Sequence, residues 1–130
     1  MANGTAERTA DSTPEQLPVD IETIKSSAQE VITDGAKIDD PDELETIIIL
    51  LRGMIMVLIP EVESDLARHP KNHTPTIGAR AGVQEARNKA HVVPGSSIHQ
   101  LVGHAQKLAR CVLALIRHHE NLSGSDHHGS

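Results

Sequence analysis

The chain contains no phenylalanine, tyrosine or tryptophan, and only one cysteine, Cys111. Without aromatic rings the core must be built from Leu, Ile, Val, Ala and Met, which fill space but supply no aromatic anchors. Modules that stack single-stranded bases on rings are excluded, as are interfaces anchored on Trp or Tyr. A lone cysteine excludes an intrachain disulfide. Long hydrophobic runs are missing too: the longest, Ile47 to Ile59, is broken by Arg52 and Gly53 and is too short to span a bilayer. No phosphate-cradling loop, nucleophile elbow, dinucleotide fingerprint or Cys/His metal spacing occurs, so neither a cofactor nor a metal is expected.

What is present is a chain of 130 residues, one domain at most. Its formal charge of −6 is unevenly spread: residues 1–65 hold 15 acidic and 4 basic side chains, residues 66–130 hold 3 and 8. Eight basic residues over half the chain make no dense patch. The asymmetry therefore suits acidic helices packed beside basic ones, and nucleic acid is not expected as a partner. No secretory signal is read at the N-terminus, so the expected compartment is the cytoplasm, with no membrane association.

Residues 1–17 are small, polar and proline-containing, and are expected to be disordered; so is the tail 123–130. Between them, 18–122 reads as an all-α, up-down four-helix bundle. The first helix starts after Asp20 and stops at Gly35. The second is capped by Asp40 with Pro41 in its first turn, and should either run through Pro60, kinked there, to about Arg68 or end at Ile59 with a short helix restarting. Being apolar nearly all round over 47–59, it should be the central element. If its neighbours fail to cover it, a two-fold interface should. The third helix, about 74–90, carries Gly78 and Gly82, whose thin side suggests close approach to the second. The fourth opens with a Ser97/Gln100 capping box and carries an unbroken apolar stripe from Ile98 to Leu122.

Few polar positions stand out. None of the nine histidines pairs with another at metal-ligand spacing within a predicted helix. His119 falls on the apolar stripe and should bond a neighbouring helix. Glu61 and Glu63, emerging at the Pro60 bend, could meet a protonated His118 and raise its pKa. Glu61 and Asp65 share a face that reads as solvated. Met54 and Leu58, four apart on one helical face, could line a ligand pocket with His118 and His119 between helices two and four. Arg52, inside an apolar run, needs an acid, for which Glu85 is the first candidate. No residue carries a catalytic signature.

The segments LRGMIMVLIPEVE (51–63), GVQEAR (82–87) and AQKLARCVLALIRHHENL (105–122), in that order, resemble a family of small actinobacterial proteins labelled "natural product biosynthesis protein", a domain of unknown function. The resemblance covers about 20–122 and brings no catalytic residues. Met54 stands where the family often has a histidine, and His119 where it has an aromatic. It implies association with specialised-metabolite biosynthesis. Combined with the missing chemistry, it points to a non-enzymatic accessory or regulatory protein working through protein contacts, a homodimer among them. A small helical enzyme or ligand-binding bundle handling a biosynthetic intermediate is the alternative.

Overall fold

The computed structural model describes residues 20–128, with side chains to Ser123; the expectation for residues 1–17 falls outside that range. Four helices follow one another: α1 (Ile21–Asp34), α2 (Pro41–Leu66), α3 (Thr74–Ala90) and α4 (Ile98–His128), with one 3-10 turn, Gly35–Lys37, after α1. No strand occurs among the described residues.

The helix starts follow from their caps. Asp20 accepts from the Thr23 amide at 3.1 Å, and Asp40 from the Asp42 amide at 3.0 Å with Pro41 in the first turn. Ser97 Oγ accepts from the Gln100 amide while Gln100 Oε1 accepts from the Ser97 amide, the reciprocal capping box. That folded-back glutamine explains Gly95: a Cβ there would stand 2.2 Å from Gln100 Oε1. At the other end of α1, Gln106 of α4 donates to the carbonyl of Ile32 at 3.2 Å, satisfying an acceptor that a helix end leaves open.

α2 passes through Pro60 without a break. The ring withholds an amide from the Met56 carbonyl and crowds it. Pro60 and Met56 both lie on the exposed side, where water can take that carbonyl. α4 continues past Leu122 over the segment expected to be an unstructured tail. Extending a formed helix costs little per residue, and no proline stops it.

Contacts give the topology. Lys25 reaches Glu120 at 3.7 Å while Val31 and Ile32 lie beside Gln106, so α1 runs antiparallel to α4. Ile48 lines a groove with Leu101, and Asp65 bonds His119, so α2 runs parallel to α4. Glu63 pairs with Arg87, and Gly82 faces His118, so α3 runs antiparallel to both. The order is up-down-up-down, but α2 is not its centre. α4 packs against all three other helices, whereas α1 leans chiefly on α4. The core joins Leu44, Leu51, Ile55, Leu58 and Val62 of α2 to Leu108, Val112, Leu115 and Ile116 of α4. Ala79, Val83 and Ala86 of α3 close it. Each fully buried Leu or Ile contributes about 1.5–3 kcal/mol.

Candidate interaction surface

On α2 the residues at 48, 51, 55, 58 and 62 point inward. The opposite stripe recurs at the same three- and four-residue steps: Ile49, Leu50, Gly53, Met56, Val57, Pro60. It is apolar and open to solvent, with Ile49 64 %, Leu50 57 %, Met56 56 % and Val57 45 % exposed. Gly53 at its middle faces empty space, with nothing within 4 Å of a Cβ built there. The patch continues onto the loop between α3 and α4. Val93, 85 % exposed, and Pro94 share a shallow groove of about 290 Å3 with Ile49, Arg52 and Leu101.

Arg52 holds that loop in place. Its Nη2 donates to the Val92 carbonyl at 2.8 Å, while Nε is buried without a partner. This corrects the expected ion pair with Glu85, which instead lies 3.8 Å from Lys89 one turn along α3. A backbone carbonyl takes one guanidinium N–H without burying a second charge, which in a small core is the cheaper arrangement.

The sequence-derived ligand residues do not gather in one pocket. Leu58 is fully buried in the core and Met54 packs against that core from its edge. Glu63 pairs with Arg87 at 3.0 Å rather than with His118, and Glu61 is half-buried on α2. His118 lies against Gly82, where a Cβ would stand 2.7 Å from its Nε2. Burial, then the nearby Arg117, pushes its pKa down, the reverse of the expected rise. The thin side of α3 therefore serves the fourth helix at Gly82, not the second.

His119 does bond a neighbouring helix. Its Nδ1 lies 2.6 Å from Asp65 Oδ2, and the other oxygen of that carboxylate accepts from Arg68 at 2.8 Å. Asp65 is buried, not solvated; at seven after Leu58 and three after Val62 it sits on the core stripe, a signal the 3-4 spacing carries. Nearby, His69 Nε2 lies 3.1 Å from the Leu122 carbonyl and its ring stacks on His73. An aspartate holding an imidazole is a way to orient a general base. Here, however, it ties the ends of α2 and α4 together, and the grooves between α2 and α3 and between α3 and α4 are lined by other residues. His104, five positions after His99 and without metal-ligand spacing, lies on the inner face of α4, a burial its sequence neighbours do not single out. It is buried, with Nε2 unpartnered, and burial followed by Arg52 lowers its pKa. Among the described residues no three His, Cys, Asp or Glu side chains gather as a metal ion requires, and no helix is long and apolar enough to cross a membrane.

What the arrangement offers is an apolar face on one helix, steadied by a pinned loop. No curated protein and no solved structure matches the chain. Residues 22–124 match the model of a family of unknown function (DUF6415), and the chain belongs to that family.

Proposed function

We propose that this protein is a non-enzymatic accessory or regulatory component that works through protein contacts made by α2, the first occupant of that face being a second copy of the chain. The observation that carries this reading is the exposed stripe Ile49, Leu50, Met56 and Val57. Large apolar side chains lined up on one side of a helix favour association over exposure. The stripe is also symmetric about Gly53: two apolar residues stand three and four positions before it, and two stand three and four positions after. A two-fold axis at Gly53 lays one copy antiparallel on the other, with Ile49 opposite Val57 and Leu50 opposite Met56, as a self-complementary interface requires. Glycine at the crossing lets the backbones approach closely.

The likeness of segments 51–63, 82–87 and 105–122 to small actinobacterial proteins labelled for natural product biosynthesis supports a place beside specialised-metabolite enzymes in the cytoplasm. Catalysis is not part of the proposal, since the imidazole that a carboxylate orients, His119, is committed to tying two helices together. Light scattering over a concentration series tests it. Wild type should approach twice the 14.0 kDa chain mass, and Leu50→Glu should stay at that mass with its fold intact. A wild-type monomer at every concentration would leave the face to a different protein.

A further inference from the structure

The seam between α3 and α4 is thin on both sides. Ala81 and Gly82 on α3 face Cys111 and Ala114 on α4, and between them lies an open groove of about 460 Å3. That volume falls in the range of small-molecule sites. The floor is apolar: two alanines, a glycine and a thiol that burial, together with Glu85, pushes towards its neutral form. The rim is cationic. Lys107 and Arg110, one turn apart on α4, have no acidic partner among the described residues, and Lys89 faces them from α3. The single acid of the rim, Glu85, is taken up by Lys89 at 3.8 Å. In a chain of net charge −6, this groove has a surplus of positive charge over an apolar floor.

Two neighbouring cations beside a small apolar trough are complementary to one kind of molecule. We infer that the α3–α4 groove binds an organic anion, an aliphatic body ending in a carboxylate or phosphate monoester, with its head at Lys107 and Arg110 and its body along Ala114 and Gly82. Arg110 offers a fork of donors that suits either head group, and Lys107 adds a compact charge. The aliphatic body replaces water on the floor, which supplies the non-directional part of the affinity. This site is separate from the α2 face and does not depend on it.

The test is an amide-shift titration of the full chain with octanoate, octyl phosphate and uncharged octanamide, each in the low millimolar range. Binding should shift residues 81–89 and 107–114 with one or both anions and leave them unmoved with octanamide. Whichever anion binds tighter identifies the head group. Lys107→Gln/Arg110→Gln, both exposed positions that the fold does not need, should weaken binding about tenfold or more. Ala114→Leu, which fills the floor, should do the same while the charges stay. Absence of shifts with both anions overturns the inference. So do shifts that survive the double substitution, or equal binding of octanamide. If Ala114→Leu does not fold, the Lys107/Arg110 pair decides alone.

Discussion

α2 and α4 read as the two most apolar helices of the chain, yet they end in opposite situations. α4 is touched by three helices, and its outer positions are polar: Lys107, Arg110, Arg117 and Glu120 are exposed. α2 is apolar inside and outside, and the outer half of its apolar surface remains in water. The difference lies in what the polar residues mark. In α4 they mark a side meant for solvent. In α2 their scarcity over 47–59 does not mean central burial: one face fills the core and the other stays exposed, the face proposed above for association. Apolar surplus on a helix is a statement about total contact, not about which contact is made within one chain.

Inward positions of the two helices should respond alike. Leu58→Ala and Leu108→Ala each remove a fully buried side chain and should cost about 2–5 kcal/mol in urea unfolding. A small cost at Leu58 alone would break the equivalence of the two inner faces. The latch between the helix ends comes next. Asp65→Ala removes a buried carboxylate serving His119 and Arg68, and should cost about 1–3 kcal/mol, most of it from the His119 contact because Arg68 is half exposed.

Gly82→Ala sharpens the contrast between α3 as a neighbour of α2 and as a neighbour of α4. The new methyl meets the His118 ring, so the substitution should destabilise in the wild type. In a His118→Ala background the same change should stabilise by about 1 kcal/mol, the helix preference of alanine over glycine. Additive effects in thermal melts would show that His118 does not occupy that space. His104 and His118 also set a pH dependence. Both have folded pKa values below the ordinary value of about 6.5, so their contribution to stability is fully present above that pH and is lost as pH falls through the depressed values. Chemical denaturation should therefore show stability declining on the acid side of about pH 6.5, with His104→Leu flattening the slope. The smallest effect belongs to the outer face: Leu50→Glu should change the stability of the separated monomer by no more than about 0.5 kcal/mol.

Local rules carried the sequence a long way. Asp20, Asp40 and the Ser97/Gln100 box start helices where their side chains allow, and the α4 stripe is buried from Leu101 onward as its 3-4 spacing demands, with Ile98 at its start left exposed. Helical spacing names the face a residue occupies but not the element that meets it. Arg52 was legible as a cation needing a partner, while the partner, a carbonyl 40 residues away, was not. His119 was legible as a bonded core-edge histidine. Its partner was not, because Asp65 reads as sharing a solvated face with Glu61, although its spacing from Leu58 and Val62 places it inward. The α3–α4 groove was invisible for the same reason: Gly82 and Ala114 are small in any sequence, and only packing sets them opposite each other.

The symmetric pairing of α2 can be read from one cross-linking experiment. Ile49→Cys and Val57→Cys proteins, each in a Cys111→Ser background, are mixed in equal amounts and oxidised. A two-fold axis at Gly53 sets position 49 of one copy opposite position 57 of the other, so the mixed disulfide should far exceed both self-linked products. A statistical mixture of the three products, or no cross-link at all, would contradict the account.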